Sequence, residues 1–238
     1  MKKIFVLNGS RRKKGNTAKF ISTITNKLEG FNIEVAHPQD FYIKPCVGCH
    51  KCFYQVQCVQ KDELSLLEER ILNSDLFILA SPVYLHYMTG ELKMILDKLS
   101  WWAHTLRLQG KPVVLLSTCS SNGHETVIKP LGEIMNFMGG NVIATANASM
   151  MFNHLGNEKW LKEVSEEVVR RINKIINEPP QSNHFIETVF NNTKRMMQSQ
   201  AILMKKNDVD VEYGELDYWI NSGMLNFETF SDYLDSRL

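Results

Sequence analysis

Over its first two thirds the chain alternates short, mainly apolar strand-like segments with longer segments whose apolar residues recur every three or four positions. That alternation restricts it to a parallel sheet covered by helices on both faces. Strands are expected over residues 4–7, 33–36, 76–80, 113–117 and 142–146, and the first of them, Ile4, Phe5, Val6 and Leu7, is a continuous apolar run that suits a central strand. Between the runs, Phe20, Ile21, Ile24 and Leu28 lie at helical spacing, as do Leu64, Leu67 and Ile71, and later Trp160, Leu161, Val164, Val168 and Ile172. Helices are also expected over 90–102 and 129–138, and Asp62 is placed to cap the helix that carries Leu64.

Five strands with crossing helices predict the α/β class, as a flavodoxin-like, doubly wound, five-stranded parallel sheet over residues 1–178. Glu178, Pro179 and Pro180 end the last helix of that unit and open a C-terminal extension, 179–238. A further helix is expected over 185–204. From residue 208 onward eight acids face one base, yet Tyr213, Tyr218, Trp219, Phe227, Phe230 and Tyr233 require that this part pack against something. A helical tail docked on its own domain is the expectation.

With 238 residues and 44% hydrophobic content, the chain can build a substantial core. Its 27 basic and 26 acidic residues leave a net charge of +1, which gives no electrostatic reason to expect a nucleic-acid partner. No apolar stretch approaches the roughly 20 residues that cross a bilayer, and the N-terminal apolar run is too short for a signal-peptide core. A cytoplasmic protein without membrane contact is expected.

The loop after the first run reads Asn8-Gly9-Ser10-Arg11-Arg12-Lys13-Lys14-Gly15-Asn16-Thr17 and leads into a helix. A strand-to-helix loop presents free backbone N–H groups and the positive end of a helix dipole, so an anion can bind there. Ser10 and Thr17 add hydroxyls, Asn16 an amide, Arg11 or Arg12 a guanidinium fork, and Gly15 a close backbone approach. A phosphate monoester matches this set. No Gly-Lys-Ser/Thr follows, and the dinucleotide fingerprint is missing. The run 76–80 continues into Ser81-Pro82-Val83-Tyr84, where Pro82 stiffens the turn while Val83 and Tyr84 offer backbone amides and an apolar or aromatic surface to a flat ring. Thr118, Ser120, Asn122 and Gly123 follow the fourth run in the same manner and form a third wall. His86 and His124 are assigned no proton transfer, and Cys119 is read as structural.

Four of the five cysteines, Cys46, Cys49, Cys52 and Cys58, fall together as Cys-x2-Cys-x2-Cys-x5-Cys. Soft thiolates so close together suit one soft metal centre, and three close-set cysteines with a more distant fourth match iron-sulphur ligation. Zinc sites bring together ligand pairs a dozen or more residues apart, which fits this spacing poorly. A dithiol redox site or unligated thiols are the other readings.

The phosphate loop, the cysteine loop and Ser81-Pro82-Val83-Tyr84…Met88-Thr89-Gly90-Glu91-Leu92-Lys93…Asp97-Lys98, in that order, resemble the NADPH-dependent FMN reductase family and, within it, the iron-sulphur flavoprotein branch. The resemblance implies FMN with its phosphate in the Ser10–Thr17 loop and its isoalloxazine ring against Pro82, Val83 and Tyr84. It also implies homodimers or homotetramers with the flavin near a subunit interface. The activity it implies is transfer of electrons from NAD(P)H through FMN to a quinone, a nitro compound, free flavin or a protein acceptor. A 4Fe-4S cluster on the four cysteines would instead make a one-electron transfer protein. A non-catalytic flavin- or metal-binding redox sensor and a zinc-stabilised binding domain are the readings from other classes.

Overall fold

The computed structural model describes residues 1–206 and 214–238. Its sheet has five parallel strands, β1 (Lys3–Asn8), β2 (Asn32–Ala36), β3 (Leu76–Pro82), β4 (Pro112–Cys119) and β5 (Asn141–Ser149), in the order β2-β1-β3-β4-β5. This is the flavodoxin-like order. The chain moves outward from β1 to β2 and then returns to the other side of β1, so the loops after β1 and β3 open at the point where strand order reverses.

Side-chain alternation along the strands divides the core into two layers. Phe5, Leu7, Phe77, Leu79, Val113 and Leu115 pack on one face against α3 (Leu64–Leu72), α4 (Gly90–Lys98) and α6 (Glu125–Phe137). Ile4, Val6, Ile78, Val114 and Leu116 pack on the other against α1 (Asn16–Thr25) and α7 (Glu158–Ile175). β3 is buried at every position, which is why it reads as a continuous apolar run rather than an alternating one.

The single helix expected over 90–102 is broken in two. α4 ends at Lys98 and α5 (Trp101–Thr105) starts afresh after Leu99 and Ser100. Neighbouring side chains on one straight helix diverge by about 100°, and the break re-aims the chain so that Trp101 and Trp102 are both buried, edge to face at 6.2 Å. α6 begins at Glu125, earlier than the expected 129, with Pro130 inside it.

The C-terminal region is helical. α8 (His184–Lys206), α9 (Gly214–Ser222) and α10 (Phe230–Asp235) enclose a third apolar cluster of Ile186, Phe190, Met197, Trp219, Phe230 and Tyr233, joined by Leu106 of the sheet unit. Glu187 of α8 accepts the N–H groups of Phe230 and Ser231 at 2.8 and 3.0 Å and so fixes the start of α10. Tyr213 and the acids Asp208, Asp210 and Glu212 lie outside the described residues. Among the described residues no helix is long and apolar enough to cross a membrane.

Candidate functional site: an anion loop, two walls and a cysteine loop

The loop after β1 is folded by its own side chains. Asn8 is fully buried, and its Oδ1 accepts the N–H of Ser10 at 3.1 Å, while its Nδ2 has no partner among the described residues. Ser10 Oγ then accepts the N–H of Arg12 at 3.2 Å. Neighbours pin the loop from both sides: His37 Nδ1, just past β2, lies 2.8 Å from the Ser10 carbonyl, and Thr89 Oγ1 donates to the Gly9 carbonyl at 2.6 Å.

α1 starts behind Gly15 with no side-chain cap and no acid in its first turn. The N–H groups of Asn16, Thr17 and Ala18 therefore have no intrahelical acceptor. Thr17 Oγ1 lies 2.7 Å from Thr118 Oγ1, which ties the helix start to the end of β4. The two arginines differ. Arg11 is ion-paired with Glu91 at 3.3 Å, whereas Arg12 has no carboxylate partner among the described residues. The loop thus offers three free amides, an orphan side-chain amide and one uncommitted guanidinium, all of them donors.

The wall after β3 is built differently from the sequence expectation. Val83 N–H donates to the Thr118 carbonyl at 2.8 Å, and Tyr84 and Tyr87 exchange N–H···O bonds at 2.9 and 3.0 Å across a two-residue turn. Neither amide is left for a ligand. Leu85 and His86 at the tip hold positive φ, 46° and 60°, a conformation that costs a non-glycine residue about 1–3 kcal/mol and that clusters at functional sites. What this wall presents is aromatic surface, with Tyr84 and Tyr87 exposed. Pro82 is buried as the last residue of β3, paired with Thr118.

Amide donors come instead from the third wall. Ser121, Asn122 and Gly123 have no acceptor for their N–H groups among the described residues. Gly123 sits at φ +85°, where a Cβ would lie 2.7 Å from Val83 Cγ1. Thr126 Oγ1 reaches the carbonyls of both Gly123 and His86. The two walls consequently behave as one unit. Asn8, His37 and Thr89 were not singled out from sequence; His37 and Thr89 enter only because the topology sets β2 and β3 beside β1.

The cysteine loop leaves the sheet after β2 and carries one short helix, α2 (Lys51–Gln55), between His50 and Val56, both at positive φ. Cys52 and Cys58 are half-buried against the core with Phe53 and Val56, whereas Cys46 and Cys49 are exposed. Burial pushes the Cys52 thiol up; a hydrogen bond with Ser100 opposes this and the other three cysteines add to it. Among the described residues no three His, Cys, Asp or Glu side chains meet as a metal site. The four expected ligands are therefore not assembled in this conformation. Phe53 and Val56 hold one pair of sulphurs on the wall, and the left-handed His50 sends the other pair into solvent.

Both ends of this loop are fixed on one carboxylate. Asp62 accepts the N–H groups of Lys44 at 2.9 Å and Leu64 at 3.1 Å and pairs with Lys98 of α4, with both charged side chains fully buried. The middle is held by the extension. Phe53 stacks on His104 at 5.0 Å, His104 Nδ1 lies 2.9 Å from the buried Glu215, and Trp219 Nε1 donates to the His104 carbonyl at 2.7 Å. α2 and α9 touch so closely at Gly214 that a Cβ there would sit 2.2 Å from the Tyr54 carbonyl oxygen. Gly214→Ala is therefore expected to lift α2 from α9, with hydrogen exchange over residues 50–58 faster by about tenfold or more and β1 unaffected. Unchanged exchange over 50–58 would contradict this contact.

The sequence profile described as NADPH-dependent FMN reductase matches residues 2–154, a span that contains the anion loop, the cysteine loop and both walls. The chain belongs to this family. Among its relatives, an iron-sulfur flavoprotein of Archaeoglobus fulgidus is 37% identical over 113 residues, which are 47% of this chain and 51% of that protein. The chain thus spans about half the length of that relative. An iron-sulfur flavoprotein of Clostridioides difficile is 24% identical over 237 residues, covering 93% of this chain and 99% of the relative. Two crystal structures share the fold. RosB, solved with 8-demethyl-8-formylriboflavin-5'-phosphate, superposes with a TM-score of 0.59 at 17% identity over 89% of each chain. An NADH:FMN oxidoreductase in its apo form gives 0.55 at 18% identity over 77% of this chain and 96% of the other.

The family's cofactor fits what these loops contain. A phosphate monoester needs donors without competing acids, as the first turn of α1 and the orphan Nδ2 of Asn8 provide. A flat ring with carbonyls along one edge needs aromatic surface beside free amides, as Tyr84 and residues 121–123 provide.

Proposed function

We propose that this member of the FMN reductase family is an FMN-dependent NAD(P)H oxidoreductase that delivers electrons to a quinone, a nitro compound, free flavin or a protein acceptor. The observation that carries the reading is the junction at Thr17 and Thr118, which sets an acid-free anion loop beside a wall of uncommitted amides at the sheet's switch point. FMN, when bound, supplies the hydride and electron chemistry. Ser10, Arg12, Gly15, Asn16 and Thr17 are the proposed phosphate site, with Arg11 held beside it by Glu91. Tyr84 and the half-buried Val83 are proposed to bear on the ring by surface contact, with the buried Pro82 stiffening the strand end behind them. Thr118, Ser120, Asn122 and Gly123 are proposed as the third wall, whose free amides, those of Ser121, Asn122 and Gly123, favour negative charge along the ring's carbonyl edge. Residues 1–178 are read as the flavin-binding unit and 179–238 as its extension; a cytoplasmic homodimer or homotetramer is the assembly that accompanies this reading.

The test is purification followed by FMN titration and anaerobic mixing with NADPH and with NADH. A yellow protein that binds one FMN and is bleached by either nicotinamide is expected. A protein that takes up no FMN overturns the reading.

We further propose that Cys46, Cys49, Cys52 and Cys58 hold an iron-sulphur cluster, of the 4Fe-4S type. Their spacing supports this, as do the names of the relatives from A. fulgidus and C. difficile. Since the sulphurs are not assembled, ligation requires the exposed Cys46–Cys49 half to fold over the docked half. Protein prepared without oxygen is expected to contain about four irons and four acid-labile sulphides per chain. An iron-free protein with four alkylatable thiols in this loop would remove the cluster and leave the flavin reading standing.

A further inference from the structure

A cavity of about 1070 Å³ opens at the end of the sheet opposite the flavin loops. One side is formed where β1, β3 and β4 begin, by Lys2, Asp75 and Lys111; the other is formed by the extension, through Tyr218, Tyr233 and Arg237. Its chemistry is lopsided. Gln109 Nε2 donates to the hydroxyl oxygens of Tyr218 at 3.0 Å and Tyr233 at 3.2 Å, and Arg237 donates to Tyr233 at 2.8 Å and to Gln109 Oε1. Both phenols therefore accept, and their own protons are left to donate. Lys111 Nζ spends two of its three N–H groups on the carbonyls of Leu72 and Ser74.

The cations outnumber the acids able to neutralise them. Among the described residues, Arg107, Lys111 and Arg237 have no carboxylate within ion-pair distance. Arg107 lies 5.5 Å from the rings of both Trp101 and Tyr218, with its Nε buried and unpartnered. On the wall, Asp75 is engaged by Lys2 at 3.1 Å and by the N–H of Lys3, and Glu178 is exposed at the rim. Behind Arg107, burial pushes Glu68 up to about 7 against the pull of Arg107, so its carboxyl is only partly charged at neutral pH.

We propose that this cavity is a binding site for a small organic anion carrying a flat ring, an aromatic carboxylate or a nucleoside monophosphate, separate from the FMN site. The anionic group meets Lys111, Arg237 and the two phenolic protons, and the ring lies against Tyr218 and Phe227. Lys111 gives an independent signature. Burial lowers its pKa to about 8, with Asp75 pulling it up and Lys2 pushing it further down. An anion placed beside it raises that value, so binding of benzoate, which does not itself titrate between pH 6 and pH 8, takes up as much as about half a proton at Lys111 near pH 8 and almost none there near pH 6, where the amine is already charged.

The experiment is calorimetric titration of the full chain saturated with FMN, using adenosine 5'-monophosphate, benzoate and inorganic phosphate as probes, in two buffers of different ionisation enthalpy at pH 6 and pH 8. One saturable site is expected for a ring-bearing probe, with inorganic phosphate weaker by about tenfold or more, and, for benzoate, greater proton uptake at pH 8 than at pH 6. Arg237→Gln, at an exposed position, is expected to weaken binding by about tenfold, and Tyr218→Phe to weaken it less. Tighter binding of the nucleotide or of benzoate identifies which source of the shared chemistry fits. No saturable binding below about 10 mM, affinity unaltered by Arg237→Gln, or equal affinity for inorganic phosphate, an adventitious ion only, would overturn the proposal.

Discussion

Replacing Lys98 with methionine is expected to cost the protein about 3–5 kcal/mol and to free the cysteine loop in the same step. Lys98 and Asp62 are fully buried and paired, and Asp62 also receives the N–H groups at both feet of the loop, from Lys44 and Leu64. Removal of the ammonium leaves a carboxylate out of water with two amide donors in place of three partners. For a chain of this size the loss corresponds to a fall in Tm of roughly 10 °C. Burial works to raise the Asp62 pKa, but Lys98 and the two amides outweigh it and hold it below the ordinary carboxylate value. A depressed folded-state pKa gives stability that is present above the unfolded value, near pH 4, and is lost as pH falls through the folded one. In Lys98→Met the sign reverses, because burial now dominates. The variant is expected to gain more stability between pH 7 and pH 5 than the parent, whose own gain there comes from Glu68, pushed up to about 7 by burial. Thermal denaturation at the two pH values reads this directly; a loss below about 1 kcal/mol at pH 7, or parallel pH profiles, would show that the pair contributes little. Adding Asp62→Leu is expected to recover only part of the loss, since Lys44 and Leu64 then lack an acceptor.

The sheet was legible in the sequence because β1, β3 and β4 are buried on both faces and their centres must be apolar; β2 and β5, at the edges, are less completely buried and read as mixed segments that admit Glu34 and Thr145. Helices were legible wherever one face alone is buried, as in α1, α3 and α7. Legibility failed where a residue's partner is distant. Nothing local distinguishes His37 from a solvated loop histidine, and its bond to Ser10 exists only because β2 lies beside β1. The His104–Glu215 contact joins residues 111 positions apart. The amides of Val83 and Tyr84 looked free because the sequence does not reveal that the chain turns back at Leu85 and His86 or that Thr118 stands opposite. For the cysteines, spacing specified only which sulphurs are able to converge. Their arrangement follows from Phe53 and Val56 burying one half of the loop, a packing preference that cysteine spacing does not encode.

Asn16→Asp separates the anion loop's ligand from its fold, because the two effects have opposite signs. Asn16 is the first residue of α1, exposed, in a helix with no acid in its first turn and no side-chain cap. A carboxylate at that position interacts favourably with the helix dipole, so the FMN-free protein is expected to gain about 0.3–1 kcal/mol. The same charge faces a phosphate monoester bound on the amides of residues 16–18, and like charges brought together at a binding surface cost several kcal/mol. The Kd for FMN is then expected to rise by roughly 100-fold, equivalent to about 3 kcal/mol. A flavin-fluorescence titration and a urea melt of the FMN-free protein measure the two quantities independently. Ligand stabilisation follows mass action, so at an FMN concentration that saturates only the parent, the variant should melt earlier with FMN present and later without it. A variant that melts later and still binds FMN within threefold of the parent would mean that the phosphate does not lie on the start of α1, and Arg12, Thr17 and the orphan amide of Asn8 would need another ligand. If both quantities fell together, the substitution would have disturbed the loop itself, and the bonds that Asn8 and Ser10 make to the backbone would be the place to look.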